Sequence, residues 1–257
     1  MPNDKRFDAG KNFFCGAKST LMKQLPFYIP AVFILATLVT IYVFYRASQR
    51  NNKMLLFIFI WLVLQSVIAL SGFFTTTNNL PPRFVLLLIV PAVSIIAIVS
   101  SRRGRAFADV FNVRQLTALH SVRIAIELVL YWLFLYKGMP KLMTFEGRNL
   151  DLLSGLTAPL IYYFGFVTLR IATKTIVFWN FACLFILLFT VGNAVLSAPT
   201  PFQQFAFDQP AVAVLHFPFV WLPGIIVPVV IFSHIAAIRI LLKKIKRPVA
   251  QRLVSAS

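Results

Sequence analysis

Residues 118–134 read ALHSVRIAIELVLYWLF, an apolar run that nevertheless carries His120, Arg123 and Glu127. With Tyr131 and Phe134 they follow at steps of 3, 4, 4 and 3, which sets all five on one face of a helix. Imidazole exchanges protons near neutral pH, a carboxylate takes a proton or meets a cation, and a guanidinium holds an anion or pairs with a carboxylate four residues on. Two uses of the face are open. In one it lines a central site, where Glu127 takes and releases a proton or meets a cationic group while Arg123 tunes it or holds an anionic substrate. In the other Arg123 and Glu127 form a neutral pair that locks helix packing, with His120 near the interface. A charge deep in hydrocarbon costs ~2.5–3.5 kcal/mol on insertion scales, so either use turns the face inward. The polar residues placed to meet it are Gln65, Asn180, Asn193, Ser233 and His234.

The elements that must position this face are membrane-spanning helices. A composition of 59% apolar residues with 27 Phe and only 12% charge cannot be arranged as a soluble core under a wettable surface. Seven apolar runs approach the ~20 residues that cross the hydrocarbon. They lie at about 27–46, 54–74, 84–101, 118–137, 152–171, 175–197 and 213–239. The runs are continuous rather than alternating, which favours helices over a barrel. The expected fold is all-α, a polytopic helical bundle of about seven spans. It comprises an N-terminal tail (1–25), one transmembrane domain (26–240) and a basic tail (241–257).

Net charge is +18, yet the Lys and Arg residues cluster at span ends rather than on one nucleic-acid-binding face. The loops 46–53 and 102–117, the turn 170–174 and the tail from Arg239 hold fifteen of them, against nine on the other side. The positive-inside rule then makes that side cytoplasmic and places the N-terminus outside. Five of the nine, Lys5, Arg6, Lys11, Lys18 and Lys23, oppose this orientation, because they lie in the tail that must be translocated. If the source is bacterial, the membrane is the inner (plasma) membrane. The loop RRGRAFADVFNVRQ (102–115) and the tail KKIKRPVAQR (243–252) set topology and rest on the bilayer, with anionic head groups as an alternative contact.

Two further features stand out. The outer loop 137–155 gathers Glu146, Arg148 and Asp151 among Gly138, Pro140 and Gly147, a punctuation that favours a defined turn. Asp151 is expected to cap the fifth span; the functional alternative is a ligand-selecting mouth. In the last span Pro218, Pro223 and Pro228 recur every five residues with Gly224 behind the second, so Pro223-Gly224 marks a kink or an opened helix.

Named chemistries find little support. There is no Lys between 213 and 239 for a retinal Schiff base, and no HExxH helix, Gly-x-Ser-Gly turn or P-loop. No catalytic or metal-binding residues are assigned and no cofactor is expected. The one cofactor weighed is haem ligated by His120 and His234. The sequence thus reads as a small transporter or ligand-binding membrane protein with its polar site on the fourth span. The alternatives are a non-catalytic membrane subunit or assembly factor, and a b-type haem protein. Its partners are the lipid bilayer with a small-molecule ligand or a membrane protein, and no nucleic acid.

The charge count generates a topology test. A reporter fused after Ser257 is expected to be active only if it works in the cytoplasm, and an impermeant thiol reagent to reach Cys15 in intact cells. Protection of Cys15 that persists only until cells are permeabilised, with a cytoplasmic C-terminus, means an even number of spans.

Overall fold

The computed structural model describes residues 25–75 and 82–254. Cys15 and the five opposing basic residues of the N-terminal tail lie outside them. Every regular element among the described residues is helical. These are α1 (Tyr28–Ala47), α2 (Asn52–Leu70), α3 (Leu86–Ser100), α4 (Arg102–Asp109), α5 (Val113–Leu119), α6 (Val122–Leu135), α7 (Asp151–Tyr162), α8 (Thr173–Ser197) and α9 (Val227–Val254). Helix starts are set by side chains that replace missing intrahelical partners. Asn51, Ser101 and Asn112 accept from the N–H groups of Met54, Gly104 and Gln115 at 3.1, 3.0 and 3.3 Å. Each such cap stabilises its helix by about 1 kcal/mol.

Among the described residues six helices are long and apolar enough to cross a membrane, counting α5 and α6 as one bent rod over Val113–Leu135. The sequence led us to expect seven. The fifth expected span, 152–171, is instead a shorter apolar helix, Asp151–Val167, whose last five residues form a π turn. The seventh is also recast: Leu222–Ile226 is a π turn, and α9 continues past the expected end at 239 to Val254.

The last span is the structural centre. Its apolar window is 61% buried, against 11% for α2 and 17% for α3, which therefore turn most of their surface outward. Helix α9 packs on α8, α5 and α3, while α1 packs on α5 and α6. Phe232 of α9 joins Phe44 of α1 and Phe111 in an aromatic cluster with ring centroids 5.1–5.7 Å apart.

Basic segments gather at one end. The Gln49 amide donates to the Val110 carbonyl at 2.8 Å, and the Asn112 N–H to the Ala47 carbonyl at 2.8 Å. Asp109 accepts from Arg239 at 2.8 and 3.1 Å and from Lys243. At the opposite end Gln209 donates to the carbonyls of Phe134 and Met139, and the Gly138 carbonyl accepts from the N–H groups of Val212 and Ala213.

Between the ends the chain does something the hydropathy profile does not signal. Lys137, with a left-handed φ of 58°, ends α6 and sends the chain back into the bundle. Met139, Met143, Thr144 and Asn149 are buried, and α7 begins at Asp151 beside Arg123. Arg123 lies twelve residues, or about 18 Å at 1.5 Å per residue, short of Leu135. Irregular backbone at such depth is tolerated only inside protein or along a polar cavity. Here a tight turn satisfies it: the N–H of Gly147 bonds to the Thr144 carbonyl at 2.9 Å and that of Arg148 to the Leu142 carbonyl at 3.1 Å. A methyl at Gly147 would collide with the Lys141 carbonyl oxygen, so this turn requires glycine.

The basic end supplies a pH test. Partial burial pushes the Asp109 carboxyl up, but the hydrogen bonds and charges of Arg239 and Lys243 together outweigh it and hold the group below the usual carboxylate range. A carboxyl lowered on folding contributes stability above its unfolded value and loses that contribution as pH falls through the folded one. Purified wild-type protein is therefore expected to lose melting temperature in that acidic window. Asp109→Asn should start a few degrees lower at neutral pH and fall less steeply on acidification.

Candidate functional site

The bend between α5 and α6 positions the first member of the site. The N–H groups of His120, Ser121, Arg123 and Ile124 each bond three residues back, to Thr117, Ala118, His120 and Ser121 at 3.1–3.2 Å. This tightened turn interrupts the helix, and mid-helix turns of this kind often mark functional hinges. The His120 ring is fully buried and stacks on His234 of α9, with centroids 3.8 Å apart and planes 9° from parallel. Trp179 of α8 packs edge-on to both. Asn180 donates its amide to the Ile176 carbonyl at 2.9 Å, which leaves its oxygen facing His234 Nδ1 at 2.9 Å. His234 Nδ1 must therefore carry the hydrogen, and in the neutral ring Nε2 keeps a bare lone pair with no partner among the described residues.

About one turn along α6, Arg123 Nη2 donates to Asp151 Oδ1 at 3.0 Å, with side-chain exposures of 6% and 8%. Four residues on, Glu127 is 3% exposed and accepts from Asn149 Nδ2 at both oxygens, at 2.8 and 2.7 Å. Asn149 Nδ2 also donates to the Met143 carbonyl. Its Oδ1 accepts from the Asp151 N–H at 3.0 Å and from the Thr190 hydroxyl at 3.2 Å.

Two sequence expectations are corrected here. Arg123 pairs with Asp151 across helices rather than with Glu127 along its own. Asp151 does not cap α7, because the Asn149 side chain already serves the first N–H of that helix. The physical reason is close approach. A Cβ at Gly155 would stand 3.0 Å from the Ile124 side chain and 3.3 Å from Arg123 Cβ, so the glycine brings α7 against α6 and Asp151 within reach. Asp151 thus sits in the buried site, whereas Glu146 and Arg148 of the same loop are exposed and Lys141 lies 4.0 Å from Glu146.

The other expected residues divide. His120, Arg123, Glu127, Asn180 and His234 form one buried row. Tyr131 and Phe134 continue the face toward the α6 end but are half-buried, the Tyr131 ring tilted against that of Phe145 with centroids 4.9 Å apart. Asn193 is buried one turn beyond Thr190 with no hydrogen bond to the row, and Ser233 bonds its own helix at Val229. Gln65 is buried elsewhere, with its amide against Gly224 and both polar atoms unpartnered among the described residues. A Cβ at Gly224 would overlap that amide. Trp61 donates to the Gly224 carbonyl at 3.0 Å, so the Pro223-Gly224 break is braced by α2 and stands apart from the row.

Haem does not fit His120 and His234. An iron held from opposite faces needs two ring nitrogens aimed along one axis with the porphyrin between them. These rings lie face to face in contact, and one nitrogen of His234 is engaged by Asn180. Sequence reasoning missed Asn149, Thr190 and Trp179. An Asn two residues before an Asp that opens an apolar helix was the available signal, and it is a weak one.

Chemically the row holds one guanidinium and two carboxylates. Arg123 Nη1, both nitrogens of His120, His234 Nε2 and the Ser154 hydroxyl are buried without partners among the described residues. Removing one member of a buried ion pair typically costs ~3–5 kcal/mol, while replacing both with apolar groups is often neutral. Asp151→Leu alone is therefore expected to lower melting temperature sharply. Arg123→Met combined with Asp151→Leu should recover most of the loss. Equal melting of the single and the double variant would show that the pair does not hold α7.

No curated protein and no solved structure matches this chain. A family model matches residues 81–242, more than half of the sequence and the stretch that contains the whole row from His120 to His234. On that match the chain belongs to the family described as Domain of unknown function (DUF8737).

Proposed function

We propose that the protein is a small membrane transporter whose buried row binds and releases a proton, or a small cation in its place, at Glu127. One observation carries this reading: Arg123 is taken by Asp151, so among the described residues Glu127 has only the Asn149 amide and no cation of its own. A second ionised carboxylate gives the row a net negative charge in a low-dielectric interior, where unpaired charge is costly. A proton on Glu127 or a bound cation restores neutrality. Intramembrane carboxylates of this kind mark ion and proton pathways. Asn149 links occupancy of Glu127 to the start of α7, since the same amide holds both. The His120–His234 stack adds a free imidazole lone pair about 10 Å further along the rod, at 1.5 Å per residue. In this reading the basic end faces the cytoplasm and the loop 137–150 enters from the other side.

Infrared difference spectra of purified protein test the carboxyl directly. A protonated C=O band that titrates in wild type and is missing in Glu127→Gln is expected, with the variant's melting temperature close to wild type. In liposomes with an entrapped pH dye and an imposed potential, proton flux should fall at least an order of magnitude in Glu127→Gln. Identical titration and flux in the two proteins overturns the reading.

A further inference from the structure

We infer that the basic end carries a binding site for one anionic phospholipid, seated in a groove between α4, α8 and α9. The groove has a volume of about 500 Å³, within the range of ligand sites, and two chemically distinct parts. Its rim holds Arg105, Arg239, Lys243 and Lys246. Among the described residues Asp109 is the one carboxylate bonded to this rim, through Arg239 and Lys243, and four cations against one anion leave a positive mouth. The floor is apolar. Phe181 and Leu184 of α8 line it with Phe232, Ile235 and Ile238 of α9, and Phe181 is 51% exposed.

The order of these parts identifies the occupant. From Lys246 to Phe232 is fourteen residues of one helix, roughly 21 Å at 1.5 Å per residue, with cations at one end and aromatic and aliphatic side chains at the other. That is the polarity profile of a phosphate with an acyl chain below it. A free phosphate would not use the floor, and a zwitterionic lipid would bring its own cation to a positive rim. Basic pockets between membrane helices at the cytoplasmic side recognise anionic lipids by the same chemistry. Arg239 and Lys243 are braced by Asp109 and so present their remaining donors from fixed positions. The site is separate from the Glu127 row and does not depend on its role.

Native mass spectrometry of the full chain in non-ionic detergent tests this with phosphatidylglycerol, phosphatidylcholine of the same chains, and inorganic phosphate. One phosphatidylglycerol retained with about tenfold preference over phosphatidylcholine is expected, without displacement by phosphate. Lys246→Gln, an exposed change, should cut the preference several-fold. Leu184→Trp should lower retention of both lipids by filling the floor, with melting temperature confirming that each variant is folded. Equal retention of the two lipids, full competition by phosphate, or a dimer that Leu184→Trp dissociates while lipid retention is unchanged would each overturn the proposal.

Discussion

Arg123 and Asp151 face each other at 3.0 Å almost without solvent, and at that burial neither side chain is stable alone. Helix α7 therefore has to start where Arg123 is, partway along the α5–α6 rod, and the chain from Lys137 has to travel back into the bundle to reach that point. The tight turn at Gly147, the buried Met139, Met143 and Thr144, and the close contact at Gly155 all serve this placement. Asn149 completes it, because its one amide satisfies the α7 start, the Met143 carbonyl, Thr190 and Glu127 together.

The ion pair also fixes what is left over. With Arg123 committed, Glu127 is held by neutral donors only, and the histidine stack lies on the other side of the guanidinium. Arg123 is in this way both a structural anchor and a partition of the row into two halves. The helix break at Pro223-Gly224 belongs to neither half; it is where α2, through Trp61 and Gln65, grips the central helix.

Much of this was legible in the residues. Long apolar runs gave the helices, and the spacing of His120, Arg123 and Glu127 gave one inward face whose partners His234 and Asn180 lay on other runs. What could not be read was depth. Hydropathy treats 137–155 as a link between spans, because it cannot see that Asn149 and Asp151 re-enter far enough to meet residues 22 and 28 positions earlier. For the same reason the nearest cation to Glu127 in sequence looked like its partner. An i,i+4 spacing permits a pair but does not choose it against a neighbouring helix brought close by a glycine. Gln65 illustrates the converse: its polarity suggested the row, while packing against Gly224 put it elsewhere.

The re-entrant start of α7 also bears on how the protein is made. A segment that opens with Asp151 and runs only to Val167 is a poor candidate to enter hydrocarbon alone, since an unpaired carboxylate there costs ~2.5–3.5 kcal/mol on insertion scales. Its natural place exists only after the α5–α6 rod has delivered Arg123 to the interior. One ion pair thereby sets an order for these two elements: the α5–α6 rod enters first, and α7 settles against it as a tertiary event rather than as an independent insertion.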